Sequence, residues 1–159
     1  HYMSHVNGTG AWENDAVHSA EMPNGVKALQ NSTNGEILIV QAVERATGKK
    51  MPLVLQSVPL GPGRANVGIY FKPLTSAQTY ATAKDFATDW SGPFQVSALL
   101  SAYSTMVQQK DGRIAFFYEE ETYGKGLCYT NMYRPLTLEQ ITGGKFAAIS
   151  NKGSVNKRK

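Results

Sequence analysis

Three residues of this chain carry groups that can do chemistry together: a phenol, a carboxylate and a guanidinium. Tyr103 lies at the start of Ala102 to Gln108, a run suited to a strand. Lys110-Asp111-Gly112 supplies a turn, and Arg113 to Tyr118 returns as an apolar strand that ends in the carboxylates Glu119 to Glu121. Antiparallel pairing sets the two ends side by side, so Tyr103 and Glu119 meet at one rim of a sheet. A phenol ionises only at about pH 10, so a tyrosine nucleophile needs a base beside it. Arg64 follows the Pro62-Gly63 turn at the mouth of another strand. Its guanidinium fork is the group that grips a carboxylate through two charge-assisted bonds, which lysine cannot copy.

Taken singly, each residue has a plainer role. Tyr103 is one of eight tyrosines, and Arg64 can simply decorate a turn. Glu120 and Glu121 read as solvated. Cys128, between Leu127 and Tyr129, reads as a small buried hydrophobe. Trp12 and His18, in a loop-like segment, read as packing residues.

The elements that must position these groups are short strands. Glu36 to Val43 reads as a strand, Pro52 to Val58 as its hairpin partner, and Ala65 to Lys72 as a third strand in which Val67, Ile69 and Phe71 alternate. Phe94 to Leu100 reads as a further short strand, and Gly124 to Arg134 as the partner of the Tyr103 hairpin. Ala28 to Gln30 reads as a short strand. Pro135 to Ile141 reads as one short helix, capped by Thr137 and stopped by Gly143-Gly144. Seven or eight strands at a spacing of about ten residues predict an all-β sandwich, barrel or propeller. Periodicity alone does not choose among them.

Composition excludes several classes. The chain has 159 residues, 42% hydrophobic and 18% charged, which describes a globular domain with a real core. Much of the formal charge of +4 gathers in a basic tail, residues 151 to 159, expected to be disordered and solvated. No nucleic-acid-binding signature accompanies it, so a nucleic-acid partner is not expected. No stretch approaches the roughly twenty apolar residues of a membrane span. One cysteine allows no internal disulfide. HYMSHVNGTG shows no signal peptide, and the chain reads as a piece of a longer protein. Asn7-Gly8-Thr9 and Asn31-Ser32-Thr33 match the short glycosylation pattern.

The hairpin residues AYSTMVQQKDGRIAFFYE resemble the C-terminal catalytic segment of bacterial-type sialidases: a Tyr-Ser, an apolar strand, an Asp-Gly turn, and a strand closing on Tyr-Glu. LVLQSVPLGPGRANVGIYFK is similar to the family's strand–turn–Arg–strand pattern, and Ala83 to Trp90 is similar, loosely, to the Asp-box turn of its blades. The resemblance runs from about residue 36 to residue 146. It implies residues 1–150 as the C-terminal part of a six-bladed β-propeller. At about 40 to 50 residues per blade, the chain would supply three to four of them.

The resemblance also implies chemistry. Sialic acid carries a carboxylate on its anomeric carbon, which repels an anionic nucleophile and favours a neutral phenol. Tyr103 is then the nucleophile of a retaining exo-α-sialidase, Glu119 orients a triad arginine, and Arg64 is the third arginine, gripping the substrate carboxylate. No metal or organic cofactor is implied. The family's Asp acid/base, its Glu base and two arginines have no counterpart here; Glu13, Asp15, Glu21 and Arg45 sit in no matching motif. The expected partners are sialylated glycans and the missing N-terminal half of the propeller, and the expected location is secreted, periplasmic or cell-surface. A non-catalytic sialoglycan-binding module and a trans-sialidase are the alternatives.

Overall fold

The computed structural model describes residues 2, 16–30, 33, 35–122 and 128–149. Trp12, Glu13, Asp15, the first glycosylation pattern, most of the second, and the basic tail lie outside the described residues. The fold is all-β: among the described residues, eight strands form two antiparallel sheets, with two one-turn α-helices. No helix among the described residues is long and apolar enough to cross a membrane.

The first sheet contains β1 (Ile37–Glu44), β2 (Lys50–Pro59), β3 (Val67–Pro73) and β4 (Ser91–Gln95), a four-strand meander of the size of one propeller blade. A last strand, β8 (Phe146–Ala148), unforeseen in the sequence, adds to the free side of β1. The second sheet has β5 (Ser101–Gln108), β6 (Ile114–Glu121) and β7 (Tyr129–Leu136), with β6 in the middle. Two sheets therefore hold all the described strands, where length alone allows three to four blades.

The core lies between the sheets. Leu53 and Leu55 of β2, and Val67, Ile69 and Phe71 of β3, meet Met106 of β5 and Ile114, Phe116 and Tyr118 of β6. The opposite face of the first sheet carries a second cluster, in which Val54, Val58 and Tyr70 pack with Val26 and Trp90. Strand β2 is apolar at seven of its ten positions because it is covered on both faces.

Several expectations shift. Phe94–Leu100 was expected to be extended, but β4 ends at Gln95, and residues 96–100 run as a connection towards β5. Ala28–Gln30 is a turn rather than a strand; the Leu29 backbone bonds Leu60 and Gly63. Strand β7 extends through Pro135, because on the edge of the sheet a missing N–H costs no ladder bond. The helix α2 (Leu138–Thr142) therefore starts later than predicted, with Thr137 as its cap and Gly143 ending it in the left-handed region at φ 62°.

A second helix, α1 (Ala83–Ala87), replaces the Asp-box-like turn. Thr82 and Asp85 form a reciprocal capping box, and alanines stand where the box has serine and glycine, which favours a helical turn. Trp90 still packs beneath, its indole N–H donating to the Phe86 carbonyl at 2.7 Å. The buried Lys72 ammonium closes the C-terminal end by donating to the carbonyls of Asp85, Phe86 and Thr88. Burial lowers its pKa, and Asp89 and Asp85 pull it back.

Four side chains depart from their expected settings. Cys128 is exposed, not buried, because it stands just before the edge strand β7. Glu120 and Glu121 are buried rather than solvated, because β7 pairs along β6 as far as Glu121 and Tyr129, which makes the end of β6 interior. The Glu121 carboxylate accepts the Cys128 N–H at 3.1 Å. His18 is exposed and lies 3.0 Å from Glu21 instead of packing in the core.

Candidate functional site

Tyr103 stands on β5 at a bulge. Ser101 pairs with Glu120 and Ser104 with Tyr118, so the register slips by one between them and Ala102 and Tyr103 together oppose Glu119. Such a bulge re-aims the side chains beside it. Ala102 points into the core, and Tyr103 stands out of it, with 47% of its surface exposed. The Tyr103 N–H approaches Glu119 Oε2 at 3.5 Å, a long contact. Glu119 is half-buried. The phenol and the carboxylate therefore share the rim, as the hairpin predicted, but the carboxylate meets the tyrosine backbone and not its hydroxyl.

Arg64 comes from the connection between β2 and β3. That loop folds back on itself: Leu60 N–H donates to the Asn66 carbonyl and Gly61 N–H to the Ala65 carbonyl, each at 3.0 Å. Gly61 has φ 87°, and a Cβ there would lie 2.3 Å from the Leu29 carbonyl oxygen, so the tight approach needs glycine. The loop is fastened by a bridge between Ala65 and Leu100, the residue just before β5. It brings the exposed Arg64 guanidinium over the Tyr103 ring, with Cζ 5.5 Å from the centroid. That is cation–π range, worth about 0.5–1 kcal/mol at an exposed site. Two residues 39 positions apart in sequence thus become neighbours, 64 from one sheet's loop and 103 from the other sheet.

The outer edge of β5 is held by groups of the first sheet instead of by another strand. Glu36 accepts the Met106 N–H through its carboxylate, and its own N–H donates to Ser57 Oγ at 3.2 Å. Ser104, next to the tyrosine, donates to Ser57 Oγ at 2.8 Å. Below the rim, the Tyr118 hydroxyl bonds the Glu120 carboxylate; burial first, and then that neighbouring charge, hold the phenol above its usual pKa.

The three residues singled out in the sequence therefore gather at one exposed rim. The sequence reading missed the residues that bring them together, Asn66 and Ser101. Asn66 had a legible signal: an asparagine three residues past a Pro-Gly turn suits the left-handed region, where it stands at φ 60°. Ser101 had none, since a serine before a strand is unremarkable until its partner is in place. Among the described residues, no group of histidine, cysteine, aspartate and glutamate is arranged to hold a metal ion. Compared with known proteins, no protein-family model matches this chain, and no curated protein matches it significantly.

Proposed function

We propose that this chain is the nucleophile-bearing part of a retaining exo-α-sialidase, a secreted, periplasmic or cell-surface glycosidase acting on sialylated glycans. The single observation that carries the reading is the Arg64 guanidinium 5.5 Å above the exposed Tyr103 ring. A carboxylate held by that fork would place the carbon bearing it beside a phenol. That is the relation a sialoside needs, because its carboxylate sits on the carbon under attack. The sialidase resemblance of the two segments that carry Arg64 and Tyr103 supports the same reading.

In this reading the Tyr103 oxygen forms a bond to the anomeric carbon as the aglycone leaves, and water then cleaves the glycosyl–tyrosine bond with net retention. Arg64 neutralises the substrate carboxylate. Glu119 orients a second arginine, contributed from outside this chain. The proton acceptor for the phenol also comes from elsewhere, since Glu119 faces the backbone of Tyr103. That last observation favours one second reading, a sialoglycan-binding module, which needs the fork and no base.

The test is Tyr103→Phe in the full-length protein, assayed on a fluorogenic sialoside, together with mass analysis after a fluorinated sialosyl donor. Loss of turnover by orders of magnitude, with the trapped sugar on the peptide holding Tyr103, is the expected result. Retained turnover removes the mechanism. Wild-type protein that binds sialosides without cleaving them selects the binding module, and formation of sialylated lactose would mark a trans-sialidase.

A further inference from the structure

Arg64 is useful to a substrate only if its loop holds it at a fixed place over β5, and the loop itself contains no regular secondary structure between β2 and β3. Two side chains supply what is missing. Asn66 donates from Nδ2 to the Gly61 carbonyl at 2.7 Å, closing the loop across the residues that flank Arg64. Its Oδ1 accepts from Gln95 Nε2 at 3.3 Å, and its backbone N–H donates to the Leu99 carbonyl at 2.9 Å. The closed loop is thereby tied to β4 and to the connection that leads into β5.

Ser101 makes the second attachment. It is fully buried, two residues before Tyr103, and opposite Glu120. Its N–H donates to the Arg64 carbonyl at 2.9 Å, and its Oγ accepts the Val67 N–H at 2.9 Å. One serine thus bonds the chain on both sides of Asn66, at Arg64 and at the first residue of β3. Because Ser101 and Tyr103 belong to the same strand, any drift of the Arg64 loop relative to the phenol must break one of these bonds. We propose that Asn66 and Ser101 are positioning residues, a two-point latch that fixes the Arg64 guanidinium over Tyr103. The role assigned to Arg64 rests on the sialidase reading; the latch itself does not.

The leading variant is Asn66→Gly, since glycine keeps the left-handed backbone while removing the amide. Ser101→Ala is the second; it leaves a buried N–H of Val67 unpaired, so its folded fraction is measured alongside by circular dichroism. Two readouts are taken on the full-length protein. The first is hydrolysis of a fluorogenic sialoside. A looser Arg64 weakens the grip on a carboxylate present in both ground and transition states, so KM should rise about threefold to tenfold with kcat held within about twofold. A merely structural role lowers the amount of active protein, which reduces kcat at constant KM and overturns the proposal. Unchanged KM and kcat overturn it as well.

The second readout is the nuclear Overhauser effect at the Arg64 Nε–H, which reports the order of that side chain without any substrate. It should fall in both variants. If wild-type protein cleaves no sialoside, the sialidase reading fails, and the latch is then judged by this signal alone: a loss of order supports it, and an unchanged Arg64 overturns it.

Discussion

Replacing Arg64 by lysine tests the fork separately from the charge. Lysine keeps a cation near the Tyr103 ring, where the Arg64 Cζ now stands 5.5 Å from the centroid, but offers no pair of parallel donors. A hydrogen bond to a charged group contributes about 1.5–3 kcal/mol. Arg64 is exposed, so solvent competes and the lower half of that range applies. At about 1.4 kcal/mol per decade, the loss corresponds to about 10- to 40-fold. In the proposed sialidase the substrate carboxylate is gripped before and during bond cleavage, so the loss should fall on KM, with kcat little changed. The thermal midpoint should move by less than about 4 °C, since the side chain makes no buried contact. The assay is steady-state hydrolysis of a fluorogenic sialoside by the full-length protein, with Arg113→Lys as control. Arg113 pairs with Asp111 at 2.7 Å in the hairpin turn, away from the rim, and its substitution should leave KM unaltered. A KM for Arg64→Lys within twofold of wild type would refute the reasoning, and so would a loss confined to kcat.

Other outcomes test the fold. Lys72→Met removes the donor to the Thr88 carbonyl inside the first sheet's second core cluster, a loss of about 1–3 kcal/mol. The thermal midpoint by far-ultraviolet circular dichroism should therefore fall by about 2–12 °C, and an unchanged midpoint would remove the role given to that ammonium. Tyr2, Tyr70 and Tyr118 are held above the ordinary phenol pKa, chiefly by burial. Their contribution to stability is fully present below the unfolded phenol pKa of about 10 and is lost as pH climbs above it. Tyrosinate absorbance should rise late for these three and together with loss of the dichroism signal; a single smooth titration of every tyrosine while the fold persists would contradict this. Cys128 should react with a soluble thiol reagent in the native state at the rate of an open thiol, and protection until unfolding would place it in the core instead.

Much of the fold was legible because strand formation here follows local patterning. Val67, Ile69 and Phe71 alternate and do face the core, and Lys110-Asp111-Gly112 does turn the chain, with the Asp111 carboxylate accepting the Arg113 N–H at 3.1 Å. Thr137 and Gly143 bound α2 as their side-chain chemistry requires. Errors arose where tertiary neighbours outweighed local signals. Pro135 stays in a strand because β7 is an edge, and Glu120 and Glu121 lie inside because β7 reaches as far as Tyr129. Ala83 to Ala87 turns as a helix because the Thr82–Asp85 cap and the Lys72 ammonium hold both of its ends.

By itself, the order of residues determined that this chain is all-β and that Tyr103 and Glu119 share a rim, since a short hairpin leaves its two ends no other place to go. It determined which side-chain groups are available there, a guanidinium and a phenol. Only the tertiary structure decided that Arg64 reaches Tyr103, because that contact depends on how a loop of one sheet is bonded to the first residues of another. It also decided, through the bulge opposite Glu119, that the phenol leaves the core while Ala102 enters it. A one-residue slip in pairing is invisible in hydrophobic spacing, yet it sets the direction of every side chain beside it.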